Sequence, residues 1–533
     1  MFTRFMSNLN FLRDHNYKIG KFLTTNTLFA TFVMMTSVFA YGFENSVLST
    51  VQAMNDYERV FGTYSESLDS YTIDANRLAF LNSFPLIAYA LGVVGATFIG
   101  ERFGRRIVFF GMNIICFTGV IICYTGRTYA LALLGRMIIN IHVGAEAYLV
   151  PMWLAEIVPA AIRGSMVAIY AFSHIFAGFI AAVITNSTSK MDGEQSWTIP
   201  IAIMFVFPGI CILMQFLLPE SPRWLLRQGR FDEAVAAIYY LNSAEKEYPA
   251  ELEAQLILET INENTTKGQW KDLFRGRNTR RTLVGLLAAG ANQLTGQSFA
   301  STYGTVFLKQ LGIIDPFTGT MIKRAFMLCG CIFIITCLER LGRRNVSLVA
   351  GTICTASLWV MGGLGTIKPT QDGTDIGIVA MSFLFPISYM IGFGAPMTVV
   401  KAEVPHTSLR DKSTFLFWTF ANISNFVVTF TIPYLLKPGY ANLGSRVGFV
   451  FGGTSLIILI LIFFFVPEMT GKSLEEVDEM FEKKIPAWRS KNFRATGIAA
   501  AVTDIENHVK TGAEASKAVE VERINVDAEQ KRQ

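Results

Sequence analysis

Two ionisable residues, Glu44 and Arg136, interrupt runs that are otherwise apolar enough to cross a bilayer. A charge held in hydrocarbon is costly, so such residues face a cavity or a partner and mark routes of ion or substrate passage. Glu44 lies seven residues before the outer end of its run, and Arg136 lies seven residues after the outer start of its own. At 1.5 Å per residue both sit about 10 Å below the same surface, so depth permits them to pair. A carboxylate that exchanges a guanidinium for a proton is a load-and-release switch, because nearby positive charge lowers its pKa and separation raises it. The same two residues could equally form a static buried bridge. His142 and His174 read as hydrogen-bonded interior residues rather than proton relays.

A second set of residues suits hydroxyl-rich ligands. Such ligands need amides and aromatic faces placed in an otherwise apolar cleft. Asn292, Gln293, Gln297, Ser298 and Tyr303 fall in one apolar run, with Asn422 and Asn425 in a later one. A mid-helix amide can instead tie two helices together.

The third set is charged and duplicated. Glu101, Arg102, Phe103, Gly104, Arg105, Arg106 recurs as Glu339, Arg340, Leu341, Gly342, Arg343, Arg344; Glu156 with Arg163 recurs as Glu403 with Arg410; Pro219, Glu220 recurs as Pro467, Glu468. Three ordered echoes at a nearly constant offset of roughly 240 to 250 residues imply an internal duplication, the arrangement of transporters whose site lies between two repeats. All of these charges stand at ends of apolar runs. Their arginines could meet Glu156, Glu220, Glu403 and Glu468 in charge-assisted bonds that latch one end of the molecule, or could merely fix topology.

The elements that carry these residues follow from composition. The chain has 533 residues, 51% of them hydrophobic and only 16% charged, with a mean hydropathy of +0.39, which excludes an ordinary soluble domain. The net charge of +5 is spread over short loops rather than gathered on one face, so no nucleic-acid partner is expected. About six runs near 20 residues long precede residue 219, and about six follow residue 281, each long enough for a bilayer crossing. The expected division is a tail over 1–26, spans over 27–218, a polar linker with amphipathic helices over 219–281, spans over 282–466, and a polar tail over 467–533. Arginine-rich turns place these tails and the linker in the cytoplasm by the positive-inside rule. All seven cysteines fall in apolar runs, so neither disulfide nor metal site nor cofactor is expected. Asn186, Ser187, Thr188 make a glycosylation sequon in an expected outside loop. Nothing in the spans is arranged as a hydrolytic or nucleophilic centre.

The run Pro219, Glu220, Ser221, Pro222, Arg223, Trp224, Leu225, set between two groups of six spans and joined to the doubled charge motifs, resembles the exit of the sixth helix in the sugar porter family of the major facilitator superfamily. That resemblance implies an all-α membrane protein with 12 transmembrane helices in two pseudo-symmetric six-helix bundles and cytoplasmic linker helices. It also implies proton coupling through Glu44 and Arg136, which follow Gly42, Phe43 and Gly135 as the family's Asp and Arg follow their own Gly residues. The charged turns, Arg223 included, would form the cytoplasmic gate. Sugar contacts would come from Asn292, Gln293, Gln297, Ser298, Tyr303, Thr398, Asn422 and Asn425. Only Gln293 of the seventh-span motif is kept intact. Thr398 and Ile423 stand where the family has Trp, Ala171 and Gly178 where it has Gln, and Ser298 where it has Asn, which implies room for a second sugar ring. Ala402, Glu403, Val404, Pro405 with Leu409 and Arg410 is most similar to fungal α-glucoside permeases. The expectation is therefore a proton-coupled sugar symporter that prefers a disaccharide or oligosaccharide, acts as a monomer and sits in the plasma membrane. A uniporter or a nutrient sensor of the same fold is the alternative.

Overall fold

The computed structural model describes residues 24–66, 69–158, 163–242, 249–263, 269–367, 372–406, 409–437, 439–470, 472 and 474–493. The two tails as expected from sequence therefore lie largely outside the described residues. Within them the chain is almost wholly helical. Helix α1 spans Thr25–Val51 and the short α2 spans Asn55–Phe61. Strands β1 (Thr63–Ser65) and β2 (Ser70–Thr72) form a small antiparallel hairpin in which Tyr64 faces Tyr71. Helices α3 (Ala75–Phe103), α4 (Arg105–Thr125), α5 (Tyr129–Ile157) and α6 (Arg163–Thr188) follow. Then come α7 (Gln195–Ile203) with α8 (Val206–Met214), and the linker helices α9 (Pro222–Arg227), α10 (Phe231–Leu241) and α11 (Ala250–Glu263).

The second group comprises α12 (Arg277–Leu294), α13 (Gln297–Ser301), α14 (Gly304–Leu311), α15 (Pro316–Leu341), α16 (Arg343–Leu364), α17 (Asp372–Tyr389), α18 (Ala395–Glu403), α19 (Arg410–Leu436) and α20 (Val447–Phe465), followed by α21 (Leu474–Glu482). Eleven helices or helix pairs among the described residues are long and apolar enough to cross a membrane. The seventh expected span supplies the twelfth crossing in pieces: α12 stops at Leu294, Gly296 takes a left-handed φ of +93°, and α13 and α14 continue.

Local chemistry sets the helix starts near the hairpin. The Asp74 side chain accepts the Asn76 N–H at the head of α3, Thr128 accepts the Leu131 N–H before α5, and Asp315 accepts the Thr318 N–H with Pro316 beside it before α15. Each satisfies an amide that the helix itself leaves orphaned. The opposite end is built on two glycines. Gly104 and Gly342 adopt φ of +97° and +89°, and a Cβ on either would collide with the carboxylate of Glu220 or Glu468. Outward faces stay apolar, with Phe98 and Leu213 70% and 75% exposed, as expected of surfaces that meet lipid rather than water. One buried apolar cluster joins Phe43 and Val47 of α1 to Phe299, Phe307 and Phe451 of the second group.

The linker helices close a core of their own from Trp224, Leu225, Ala234, Ile238 and Ala254. They are anchored to the spans as well: the Trp224 Nε1–H donates to the Glu101 carbonyl at 2.9 Å, and the Thr27 hydroxyl donates to the Leu241 carbonyl at 2.9 Å.

Candidate functional site

A cavity of about 270 Å³ lies between the two groups of spans, lined from the first by Tyr41, Asn45, Asn82, Arg136, Asn140 and His174, and from the second by Gln293, Gln297, Ser298, Trp418, Asn422 and Asn425. Amides dominate its polar surface. The Ser298 hydroxyl donates to Asn425 Oδ1 at 2.7 Å and the Thr429 hydroxyl to the same oxygen at 3.1 Å. Those two bonds occupy the carbonyl of Asn425, which lines the cavity. Gln293 Oε1 is buried without a hydrogen-bond partner, so the Gln293 side chain has an unused acceptor beside the space a ligand would fill. Such unmet polar groups in a cleft are what a hydroxylated ligand satisfies.

Arg136 and Glu44 are not paired. The Arg136 guanidinium donates to the Leu48 carbonyl, to Asn82 Oδ1 at 3.2 Å and to Gln52 Oε1 at 3.5 Å. Glu44 is fully buried, accepts from the Cys116 thiol at 2.9 Å, and has His142 Nδ1 at 3.4 Å. Equal depth does not fix azimuth: Glu44 turns toward α4 and α5 while Arg136 turns to the cavity. His142, read from sequence as an ordinary interior residue, is thus the group at ion-pair distance from the buried acid. Gln52 extends the network across the molecule, since its Nε2 donates to the Thr302 carbonyl in the broken seventh span at 3.0 Å.

The doubled charge motifs make two equivalent clusters, each closed within its own group of spans. Arg105 grips Glu156 with Nε and Nη2 at 3.1 and 3.0 Å, and Arg343 Nη2 donates to Glu403 at 3.0 Å. Glu220 and Glu468 depart from expectation. Instead of meeting guanidinium groups, Glu220 accepts the Arg105 and Arg106 backbone N–H groups at 2.9 and 3.2 Å, and Glu468 accepts those of Arg343 and Arg344 at 2.9 and 3.1 Å. The carboxylates sit on the positive ends of α4 and α16, where orphan amides and the helix dipole both favour an anion. The second arginines bond main chain, Arg106 to the Phe216 carbonyl and Arg344 to the Phe463 carbonyl. Glu101, Arg102, Arg223 and Arg340 are exposed, Arg102 lying over the Phe103 ring, and Arg410 Nε has no hydrogen-bond partner. The Arg163 and Glu339 side chains lie outside those described.

Hydrogen bonds between the two groups of spans gather at the hairpin end. Lys309 Nζ donates to Glu58 at 2.6 Å and to the Ala53 carbonyl at 2.8 Å. Tyr434 donates to Asn76 at 2.8 Å, and Thr318 to Asn186 at 3.0 Å. A sequence profile described as "Sugar (and other) transporter" matches residues 29–481.

The chain belongs to the sugar transporter family. The High-affinity glucose transporter ght2 of Schizosaccharomyces pombe is 27% identical over 525 residues, covering 96% of this chain and 97% of that protein. The Hexose transporter HXT13 of Saccharomyces cerevisiae is 26% identical over 466 residues, covering 85% and 82%. Among solved structures, the inward open conformation of the xylose transporter XylE from E. coli superposes with a TM-score of 0.69 at 19% identity, covering 84% of this chain and 98% of that one. The likeness to XylE establishes the major facilitator fold.

Several residues expected to bind sugar in this transporter do other work. Asn292 Nδ2 donates to the Phe393 and Gly394 carbonyls at 2.7 and 2.9 Å. The π-helical turn Met390–Gly394 disturbs the regular ladder there, and Asn292 satisfies the exposed carbonyls. Thr398 donates to the same Gly394 carbonyl at 2.9 Å, and Tyr303 to the Thr429 carbonyl at 2.9 Å from a fully buried position. None of the three lines the cavity. Ile423 points outward, 58% exposed, so its difference from Trp adds no room inside. Asn186 ends a helix rather than sitting in a loop, and its amide is held by Thr318, a placement that disfavours glycan attachment. Sequence reasoning missed Gln52, Asn82, Asn45, Glu146 and Arg324. Glu146 is fully buried and accepts from Tyr170 at 3.3 Å. An ionisable residue inside an apolar run was the available signal for Glu146 and Arg324.

Proposed function

We propose that this transporter is a proton-coupled symporter that carries a sugar by alternating access across the plasma membrane, acting as a monomer with both termini in the cytoplasm. It is a carrier rather than an enzyme. The observation that carries the reading is the amide-lined cavity between the two halves, with a fully buried acid, Glu44, packed behind its wall. On this topology the hairpin end is outside. Bonds of Lys309, Tyr434 and Thr318 across that end support a state closed to the outside on this reading.

Proton loading is assigned to Glu44 with His142. A proton shared across their 3.4 Å gap would neutralise the carboxylate as the site turns inward, and its loss would return charge to a low-dielectric interior where an unpaired ion is unstable. Preference for a disaccharide or oligosaccharide is supported by Ser298 in place of a longer amide at the cavity wall, and by the α-glucoside-like stretch around Glu403. The present cavity, near the lower limit of roughly 300 Å³ for ligand sites, weighs toward a single ring in this state. The deciding experiment is uptake of labelled glucose and maltose in sugar-uptake-deficient cells expressing the full chain, with and without a proton ionophore. Ionophore-sensitive accumulation above the external concentration supports symport, and ionophore-insensitive equilibration supports a uniporter instead.

A further inference from the structure

The cavity wall formed by α6 and α15 presents a guanidinium that no group among the described residues answers. Arg324 is eight residues into α15 from Pro316, so it lies about 12 Å below the hairpin end, near mid-membrane. It lines the cavity beside His174, and a Cβ on Gly178 would stand 3.5 Å from its Nη1. The space left by glycine at that position is thus occupied by a cation. No hydrogen bond or ion pair of Arg324 occurs among the described residues. Its chain neighbour Lys323 is also buried, with its amine packed against Gly304.

Nothing nearby offsets this charge at the cavity surface. No Asp or Glu lines the cavity. Arg136, the other cation there, donates to the neutral oxygens of Leu48, Asn82 and Gln52. The buried acids of the first half are engaged elsewhere, Glu44 with Cys116 and His142 and Glu146 with Tyr170. A charge out of water is strongly unfavourable until it is paired, and a guanidinium presents a planar fork of donors that matches a carboxylate. In a carrier, the group that meets an unanswered charge in the cargo cavity is the cargo.

We infer that the preferred cargo is an anionic sugar, a uronate or aldonate, whose carboxylate is bound by Arg324 while its hydroxyls meet Gln293, Asn422 and Asn425. The inference rests on the sugar-transport reading above and narrows it. A monoanion suits one free guanidinium in a small cavity better than a dianionic phosphate ester does. Co-transport of that anion with one proton would move no net charge.

The test uses the full chain in sugar-uptake-deficient cells, with arrival at the cell surface verified by a fluorescent tag. Glucuronate, galacturonate and gluconate are each compared with glucose, galactose and sorbitol as competitors for labelled uptake, together with glucose 6-phosphate. In at least one pair the acid is expected to compete roughly ten- to a hundredfold better than its neutral counterpart, the range for a charge-assisted bond. Arg324→Gln should bring that ratio close to one, and Arg324→Lys should keep most of it. Because the variant could fail to reach the surface, the purified parent and Arg324→Gln proteins are also compared by thermal unfolding. The acid should raise the apparent Tm of the parent only. Neutral-sugar uptake untouched by every acid, an acid preference that survives Arg324→Gln, or glucose 6-phosphate outcompeting all three acids would overturn the inference alone. Absence of uptake for every compound at a verified surface would overturn the transport reading with it.

Discussion

Glu44 Oε2 and His142 Nδ1 stand 3.4 Å apart in a fully buried pocket between α1 and α5, and Arg136 faces away from both. The acid at the position to which the resemblance assigns coupling is therefore set against an imidazole rather than a guanidinium. Glu44→Gln is expected to abolish accumulation above the external concentration while sparing counterflow exchange, which needs no net proton movement. His142→Gln should lower the accumulation ratio, since it removes the group that stands at ion-pair distance from Glu44. If His142→Gln accumulates substrate like the parent at every pH, Glu44 works without it.

The hairpin-end closure gives a second prediction. Lys309 bridges to Glu58 and to the Ala53 carbonyl, joining α14 to α2 and to the turn that precedes it. Lys309→Met should increase the population open at that end. With Asn422→Cys as a reporter in the cavity, labelling by a membrane-impermeant thiol reagent from the proposed outer face should rise several-fold. Glu58→Gln should act in the same direction, and the double variant should fall short of the sum because both changes remove one interaction.

A third prediction separates structure from gating at the charged turns. Arg105 and Glu156 belong to neighbouring helices of one half and are almost wholly buried, with side-chain exposures of 2% and 10%. Arg105→Ala strands Glu156, a loss of about 3 to 5 kcal/mol, so the apparent Tm in detergent should drop by several degrees. Arg343→Ala, whose partner Glu403 is 27% exposed, should cost less. The doubled motifs predict a latch whose bonds break when the cytoplasmic side opens. Both bonds are made here, and the hairpin end is bridged as well. Labelling of the Asn422→Cys reporter that changes with Arg343→Ala at unchanged Tm supports the latch, and unchanged labelling leaves Arg343 a structural charge.

Asn292 and Gln293 are adjacent and should fail differently. Gln293→Ala removes a cavity contact worth about 1 to 3 kcal/mol, so KM should rise roughly five- to a hundredfold with protein abundance unchanged. Asn292→Ala strips the Phe393 carbonyl of its side-chain donor and leaves the Gly394 carbonyl to Thr398 alone, and should lower surface abundance and apparent Tm. Uptake kinetics and quantitative fluorescence of tagged protein distinguish the two, and matched phenotypes would contradict these assignments.

The one-dimensional features of this protein were legible in its sequence. Runs of apolar residues marked the spans, and the repeated Gly104 and Gly342 turns disclosed the duplication. These signals lie along the chain itself: bilayer thickness sets helix length, and a repeated motif needs no partner to be seen. Residue number also gave the depth of Glu44 and Arg136. It could not give their direction, because side chains advance about 100° per residue around a helix and the rotation of each helix is fixed by contacts distant in sequence. Gly42 permits α1 to approach the backbone at His174, and that crossing helps to set which way Glu44 points. The turn at Met390–Gly394 required a donor, and packing brought Asn292 rather than Gln293 to it. Only the tertiary arrangement decided that Glu44 meets His142 instead of Arg136, that Glu220 and Glu468 cap helices instead of binding guanidinium groups, and that Arg324 enters the space beside Gly178. Each of these pairings joins helices whose relative rotation is a property of the packed bundle and of no single segment.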